Sequence, residues 1–285
     1  MSSLPRAPRR PDGWLPPGPP PAGAQGRPEL EPLPDEDLSF LCGDWRVFQK
    51  RQGHRWSLDD LVTAWVAIGQ RPEATQALDL GCGLGSVLLL LAFKLPPDAK
   101  ISGVEAQADR AEMARRSIAF NGVEARCQVI TGDLRSASLP TTGFELITGT
   151  PPYFPEGTGT QSAHTHAAPC RFEHRGGVED YLETAKRLMA PTGRFVMCAS
   201  ALERARITDA AASLGLSHLS RLEVIPREGK PALITVDVFA LERRDQGAEH
   251  SALTVRDAAH QWTAEFSALR GQMGLPPTPP KKVTR

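Results

Sequence analysis

Between residues 38 and 241, short runs of β-branched and aliphatic residues alternate with longer segments whose apolar positions recur every three or four residues. The short runs predict buried strands and the longer segments amphipathic helices, an alternation typical of a parallel sheet covered by helices. Seven strands are predicted, at Gln76–Leu80, Ile101–Glu105, Cys127–Thr131, Glu145–Gly149, Arg194–Cys198, Ser220–Ile225 and Leu233–Phe239. The predicted helices are Asp59–Gln70, Leu84–Lys94, Asp109–Asn121, Val178–Met189 and Leu202–Leu214. We therefore expect an α/β fold with a Rossmann-like sheet flanked by helices.

The two ends of the chain have a different composition. Residues 1–37 are dominated by Pro, Gly and Ala, which predicts a disordered, partly polyproline arm. In residues 242–285, apolar residues recur at helix spacing from Val255 to Leu269. This segment is either one amphipathic helix or a shorter helix that Thr263 caps after a strand, and its proline-rich end is expected to be frayed. The predicted domain thus occupies residues 38–241.

Charge and cysteine usage restrict the functional classes. The chain has 33 basic and 33 acidic residues, so no overall basic field attracts nucleic acid, and any RNA contact must come from a local patch. Its five cysteines are odd in number and scattered, which favours reduced thiols and a cytoplasmic location. The most apolar run, 84–95, is too short to span a bilayer. The His and Cys residues within 155–175 lack metal-ligand spacing, so neither a membrane anchor nor a metal site is predicted.

A glycine-rich turn follows the first predicted strand. It reads Asp79-Leu80-Gly81-Cys82-Gly83-Leu84-Gly85-Ser86. Glycine permits a tight turn and allows a ligand to lie against bare backbone, as in the first βα unit of a Rossmann-like sheet. The spacing is G-x-G-x-G, whereas dinucleotide sites have G-x-G-x-x-G, so a pyrophosphate ligand fits less well. We predict that Gly81, Gly83 and Gly85 bind a different cofactor.

Three acidic residues stand at the carboxyl ends of the first three predicted strands. Asp79 can accept a hydrogen bond from an ammonium group, Glu105 from ribose hydroxyls, and Asp133 from an adenine amino group. Taken singly, each also fits a turn cap or a solvated loop charge. Because parallel strands end at one edge of a sheet, the three together predict a binding site for a nucleoside that carries an ammonium group.

The fourth predicted strand runs directly into a second motif, Thr150-Pro151-Pro152-Tyr153-Phe154. Two prolines cannot continue a sheet ladder, so the carbonyl groups of Thr150 and Pro151 are held rigidly outside it. A rigid pair of acceptors can grip an NH2 group, and Tyr153 or Phe154 offers a face on which a base can stack. We predict Thr150, Pro151, Pro152 and Tyr153 as catalytic residues and Phe154 as a substrate contact.

The glycine turn and the acidic strand ends resemble those of class I S-adenosylmethionine (AdoMet)-dependent methyltransferases, over residues 77–241. The resemblance implies a seven-stranded methyltransferase sheet, a reversed last strand, and AdoMet as the cofactor. The second motif resembles the [Asn/Asp/Ser]-Pro-Pro-[Tyr/Phe/Trp] loop of amino-methyltransferases, in which side chain and carbonyl acceptors hold the target amine. Thr150 departs from this pattern because its side chain is shorter and β-branched.

A closer similarity, spanning most of residues 48–241, is to the bacterial valine-tRNA adenine-N6 methyltransferase family. It rests on Phe48-Gln49, the segment from Gly53 to Ala64, Arg171-Phe172-Glu173 with the glycines and apolar residues after it, and Arg227, Lys230 and Pro231. The resemblance implies that Gln49, Arg55 and Asp59 line the AdoMet pocket, although a capped, salt-bridged helix entry would also account for these three.

These features favour a cytoplasmic AdoMet-dependent methyltransferase that modifies an exocyclic amine, with adenine in a tRNA loop as the first hypothesis. Arg171, Arg175 and Lys230 are expected to contact substrate phosphate, and residues 155–175 to form a lid over the base. A methyltransferase of protein glutamine or of a small metabolite is the second hypothesis, favoured by the zero net charge and by Thr150. The third is a catalytically silent AdoMet-binding protein.

Overall fold

The computed structural model describes residues 11, 13–53, 55–139, 143–152, 176–243 and 247–278. Its strands are β1 Glu36–Phe40, β2 Arg46–Lys50, β3 Gln76–Leu80, β4 Lys100–Glu105, β5 Cys127–Thr131, β6 Phe144–Gly149, β7 Met189–Ser200, β8 Ser217–Ile225, β9 Ile234–Ala240 and β10 Glu249–Thr254. Its α-helices are α1 Leu58–Gln70, α2 Ser86–Lys94, α3 Ala108–Asn121, α4 Val178–Leu188, α5 Arg204–Ser213 and α6 Ala264–Gln272. Short 3-10 turns occupy Pro28–Leu30 and Ala201–Glu203.

The central sheet has eight strands in the order β10-β8-β9-β7-β6-β3-β4-β5. Strand β9 runs antiparallel to both of its neighbours, and every other neighbouring pair in this sheet is parallel. All seven strands predicted from the sequence are present, and β10 extends the sheet by one beyond them. The predicted α/β class, the helices around the sheet and the reversed strand are confirmed. The carboxyl ends of β3, β4, β6, β7 and β8 therefore lie along one edge.

Two apolar clusters cover the two faces of this sheet. Helices α1, α2, α3 and α6 supply the first cluster, in which the α2 residues from Val87 to Ala92 are almost fully buried. Helices α4 and α5 supply the second, around Tyr181, Leu182 and Ile207. Because α2 is apolar on every side, it can lie only between the sheet and other elements, which explains why α1 packs across it.

The amino-terminal arm differs from the prediction of disorder in its described part, residues 13–35. The indole nitrogen of Trp45 donates to the carbonyl of Pro19 at 3.1 Å, and the amide of Gly23 donates to Phe120 at 2.9 Å. Leu30 is only 1% exposed. The arm is ordered because the domain supplies donors for its carbonyl groups and a pocket for its leucine, which composition alone does not reveal. Residues 1–10 and 12 lie outside the described residues.

A buried ion pair fastens this arm and the hairpin β1–β2 to α3. The guanidinium of Arg116 donates to both carboxylate oxygens of Glu36, at 3.0 and 2.8 Å, and to the carbonyls of Glu29 and Glu31 at 2.6 and 2.8 Å. It also stacks 4.2 Å from the ring centre of Phe48. All donors of this arginine are thus turned toward chain segments that precede the sheet. The hairpin itself was not among the predicted strands.

The carboxyl-terminal residues complete the sheet rather than extending away from it. Strand β10 pairs in parallel with β8, from Glu249 opposite Ser220 to Thr254 opposite Ile225. Thr263 then caps α6 by accepting from the amide of Phe266 at 3.1 Å. Of the two arrangements left open by the sequence, the structure has the strand followed by a shorter helix. Within the described residues, no helix is long and apolar enough to cross a membrane, and no group of metal-ligating side chains is assembled.

Replacing Arg116 with Met should lower the free energy of unfolding by about 3–5 kcal/mol, because Glu36 would remain buried without its main partner. Arg187→Met is the control, since Arg187 is an exposed arginine on α4. That control should change stability by less than about 1 kcal/mol. Urea unfolding followed by circular dichroism measures both, and equal effects of the two substitutions would contradict the role given to Arg116.

Candidate functional site

A cavity of about 530 Å³ opens at the carboxyl ends of β3, β4 and β6. This volume lies in the range of sites for small ligands and cofactors. The residues at its wall come from the turns after these strands and after β5, and from the first turns of α1, α2, α3 and α4. They are Ser57, Asp59, Asp60, Asp79, Gly81, Cys82, Gly83, Leu84, Ser86, Val87, Val104, Glu105, Ala106, Gln107, Arg110, Gly132, Leu134, Thr150, Pro151, Pro152, Gly176 and Tyr181.

The glycine turn between β3 and α2 forms the floor of the cavity. Gly81, Gly83 and Gly85 have φ of +64°, +54° and +79°, a left-handed conformation that favours glycine at each position. The hydroxyl of Tyr181 occupies the space where a Cβ at position 81 would lie. The turn therefore requires glycine both for its backbone conformation and for the close approach of α4. Gly81 and Gly83 line the cavity, as predicted, whereas Gly85 caps α2.

Asp79 ends β3 as a buried acid, 3% exposed. One carboxylate oxygen, Oδ1, accepts from the Thr148 hydroxyl at 2.8 Å, while Oδ2 has no hydrogen-bond partner in the described structure. Burial raises the pKa of Asp79 to about 7, the Thr148 hydroxyl and the backbone amide of Leu88 oppose the rise, and the charge of Glu105 adds to it. A buried acceptor without a donor is costly, so the Asp79 carboxylate is suited to receive a cationic donor from the cavity.

Glu105, at the end of β4, holds the loops on either side of it. Its Oε2 accepts from the amide of Gly83 at 2.9 Å, and its Oε1 accepts from the amide of Gln107 at 2.8 Å. A carboxylate has about four acceptor positions, so each oxygen retains capacity for a further donor. The predicted role of Glu105 in binding two ribose hydroxyls is compatible with this geometry.

Besides Gly85, three predicted cofactor residues do not line the cavity: Asp133, Gln49 and Arg55. The carboxylate of Asp133 is paired with Arg135 at 2.6 Å, and its neighbours Gly132 and Leu134 line the wall instead. Gln49 donates to Ser39 at 2.5 Å and accepts from the amide of Trp56 at 3.2 Å. These bonds join the hairpin to the chain that enters α1.

Arg55 also joins the hairpin to the chain that enters α1, because it donates to Asp37 at 2.7 Å and to the carbonyl of Lys50 at 3.3 Å. For Gln49 and Arg55 the structure thus matches the alternative of a salt-bridged helix entry. Asp59, the third member of that set, does line the cavity.

The loop after β6 forms a further part of the cavity wall. Thr150, Pro151 and Pro152 line the same cavity as Asp79, which brings the two sequence motifs together. Tyr153, Phe154, Arg171 and Arg175 lie outside the described residues, as does the expected lid of residues 155–175. Lys230 is exposed in the turn between β8 and β9 and does not line the cavity.

Several cavity residues were missed by the sequence analysis. Asp60 and Ser57 lie in the first turn of α1, where their residue types resemble an ordinary helix cap. Arg110, on α3, is 7% exposed and lines the cavity, and Tyr181 on α4 is 5% exposed. Arginine is seldom buried, and only the packing of α3 shows that Arg110 lies in the buried wall of the cavity.

The site fits the cofactor implied by the sequence resemblance. Asp79 presents an unsatisfied acceptor for the ammonium group of AdoMet, the bare backbone at Gly81 and Gly83 allows close approach, and Glu105 has acceptor capacity for the ribose. No phosphate-binding glycine pattern or described metal cluster competes with this assignment.

Comparison with known proteins agrees with the site. A protein of Tolumonas auensis named tRNA1(Val) (adenine(37)-N6)-methyltransferase is 27% identical over 241 residues, which cover 83% of this chain and 97% of that protein. A protein of the same name from Aeromonas hydrophila is 30% identical over 60% of this chain and 70% of its own length. The crystal structure of a predicted O-methyltransferase from Agrobacterium tumefaciens shares the fold, with a TM-score of 0.58, 22% identity, and coverage of 76% of this chain and 98% of that one.

A family model for the methyltransferase domain matches residues 72–223, more than half of the 285-residue chain. The matched region contains the glycine turn, the three acidic residues Asp79, Glu105 and Asp133, and the Thr-Pro-Pro loop. The chain therefore belongs to the methyltransferase domain family and is an AdoMet-dependent methyltransferase.

Proposed function

We propose that this methyltransferase transfers the methyl group of AdoMet to the N6 amine of an adenine in tRNA. The observation that carries the proposal is that Thr150, Pro151 and Pro152 line the same cavity as Asp79, so that an amine held by the loop would face the cofactor. The proteins of Tolumonas auensis and Aeromonas hydrophila that resemble this chain bear the name of that activity. We expect the protein to act in the cytoplasm.

The chain's contribution to the reaction is alignment. The carbonyl of Thr150 and its hydroxyl are acceptors at the end of β6, and both following residues are prolines, which donate no amide to compete for them. These acceptors would hold the two N–H groups of the target amine and turn its lone pair out of conjugation with the ring. When bound, AdoMet supplies a methyl group on a positively charged sulfur. The amine proton released on transfer can pass to water, so no carboxylate base is required.

Three features of the cavity floor and of one wall would bind the cofactor. We assign the ammonium group to Asp79, the ribose hydroxyls to Glu105, and the backbone contacts to Gly81 and Gly83. Gly85 supports the turn by capping α2. Asp133, Gln49 and Arg55 would act indirectly, through the loops that they fasten.

Basic residues extend along the same edge of the sheet. Arg227 and Lys230 follow β8, while Arg256 and His260 follow β10, which runs parallel to β8. Arg227 Nη1 lies 2.8 Å from His260 Nε2, so two groups suited to phosphate are held side by side. Three strand spacings of about 4.8 Å separate β6 from β8, or about 14 Å, which a few nucleotides can span. This local patch supports an RNA substrate although the net charge is zero.

A different amine remains the second candidate because of Thr150. Its side chain is shorter than the Asn of the loop motif that it resembles, and it is β-branched, so the hydrogen-bond acceptor lies in a different position. The amine that it holds could then be the side-chain amide of glutamine or the amine of a small metabolite. The two candidates share the cofactor site and the loop acceptors. They differ only in which molecule receives the methyl group.

Incubation of the full chain with methyl-labelled AdoMet and separate tRNA, rRNA, protein and metabolite fractions tests the substrate. We expect label in tRNA, released on digestion as N6-methyladenosine and identified by mass spectrometry of the nucleosides. Label confined to protein or to small molecules would contradict the RNA assignment and support the second candidate. Absence of label from every fraction, with AdoMet bound, would indicate a silent binding protein.

Thr150→Val removes the hydroxyl while keeping the branched shape. We expect kcat to fall about tenfold or more, because one acceptor to the amine is lost, with an unchanged Kd for AdoMet. Thr150→Ser is the matched control, since it retains the hydroxyl, and its kcat should stay within about threefold of the original value. Single-turnover assays combined with calorimetric titration of AdoMet separate the two effects. A full rate in the Val variant would show that the hydroxyl takes no part.

Asp79→Asn should weaken AdoMet binding by about tenfold or more, because a charge-assisted hydrogen bond to the ammonium group becomes a neutral one. Asp98→Asn makes the same change of charge at an exposed position before β4, at the opposite edge of the sheet, and should leave the Kd unchanged. Equilibrium dialysis measures both. Equal Kd values for AdoMet in the two variants would show that Asp79 does not bind the cofactor.

A further inference from the structure

The first turn of α1 contributes two carboxylates, Asp59 and Asp60, to the cavity wall. Asp60 Oδ1 accepts from the hydroxyl of Ser86, the first residue of α2, at 2.8 Å. Its Oδ2 accepts from the amide of Ser57 at 2.7 Å, which closes the first turn of α1. These two bonds hold the carboxylate at the cavity wall, where Asp60 and Asp79 are both lining residues.

The surroundings of Asp60 are mostly acidic. Asp59 precedes it on α1, Asp79 ends β3, and Glu105 ends β4. The remaining titratable or charged residues described at the cavity wall are Cys82 in the glycine turn, Arg110 on α3 and Tyr181 on α4. Four carboxylates thus share one cavity with a single guanidinium, and Oδ2 of the nearly buried Asp79 has no donor in the described structure. A cation entering this cavity would relieve both the repulsion and the missing hydrogen bond.

Without such a cation, Asp60 and Asp79 hold protons more tightly than ordinary carboxyl groups do. Burial raises the pKa of Asp60 well above its ordinary value, and the charges of Asp59 and Asp79 raise it further, against the hydrogen bonds from Ser57 and Ser86. Burial likewise raises the pKa of Asp79 to about 7. An ammonium group beside these acids favours their ionised forms, so its arrival must expel protons.

We propose that Asp60 and Asp79 together form the cation-binding wall of the cofactor site, and that this wall binds the ammonium group of the cofactor's amino-acid portion in exchange for protons. The carboxylate of Asp79 makes the direct contact through Oδ2, and Asp60 supplies the second negative charge from α1. The inference rests on AdoMet as the cofactor and does not depend on which amine receives the methyl group.

The same arrangement affects the protein without its cofactor. A carboxyl whose pKa is higher in the folded than in the unfolded chain stabilises the fold below its unfolded pKa, and that contribution is lost as pH rises through the folded pKa. For Asp79 this window runs from about 4 to about 7. Asp60 should therefore destabilise the cofactor-free protein at pH 8, where its proton is being lost.

Isothermal titration calorimetry with S-adenosylhomocysteine at pH 6.5 tests the exchange directly. This ligand keeps the ammonium group but lacks the sulfonium charge, and its α-amine, which is that of a free amino acid, stays protonated at this pH. Titrations in buffers with different ionisation enthalpies give the number of protons released. We expect about one proton or more for the original chain, and at most half that number for Asp60→Asn. Asp98→Asn, exposed and at the opposite edge of the sheet, is the control and should match the original chain.

Two further measurements separate this role from that of a helix cap. Asp60→Glu retains the carboxylate and should restore the proton release, whereas a cap alone would not link binding to protons. Asp60→Asn should melt no lower than the original chain at pH 8 without ligand, whereas loss of a purely structural cap would lower its Tm. Binding without proton release, or identical release by Asp60→Asn, would overturn the proposal while leaving the methyltransferase assignment intact.

Discussion

The hydrogen bond from the Thr148 hydroxyl to the Asp79 carboxylate, 2.8 Å long, joins the two halves of the site. Both residues are buried, and they are paired in register on the adjacent parallel strands β3 and β6. Asp79 stands before the glycine turn, and Thr148 stands two residues before Thr150. The distance between Asp79 and the Thr150-Pro151-Pro152 loop is therefore set by the register of the sheet.

The same bond satisfies only half of the Asp79 carboxylate. Asp79 lines a cavity in which Asp60 and Glu105 add negative charge, so the folded chain holds acids together that would be more stable apart. Tight packing around the site supports this arrangement: Tyr181 lies against Gly81, and α2 is buried almost throughout. A cationic cofactor would compensate the charges, which connects binding of AdoMet with stability of the fold.

The sequence predicted most of the sheet because its strands are short apolar runs with clear ends. Strand β3 begins and ends where it was predicted, and β6 differs by one residue. Strand β10 was missed because Glu249, His250 and Ser251 are polar and exposed, as is usual at a sheet edge. The hairpin and the ordered arm depend on Arg116, whose partners are distant in sequence.

The lining of the cavity was predictable where a residue stands at or just after the end of a strand, as Asp79, Glu105 and Thr150 do. It was not predictable where a residue reaches the cavity from a packed helix, because the first turn of α1 carries the same residues whether or not a ligand lies beside it. Gln49 and Arg55 show the reverse case, since residues implied by resemblance are engaged in holding the hairpin.

A crystal structure of the full chain with S-adenosylhomocysteine would show whether one cavity holds the cofactor against Asp79 and opens toward Thr150. We expect the ligand's amino nitrogen within about 3.2 Å of Asp79 Oδ2, and its sulfur atom facing Thr150 without protein between them. An amino group bound away from Asp79, or a sulfur atom screened from Thr150, would rule out this arrangement.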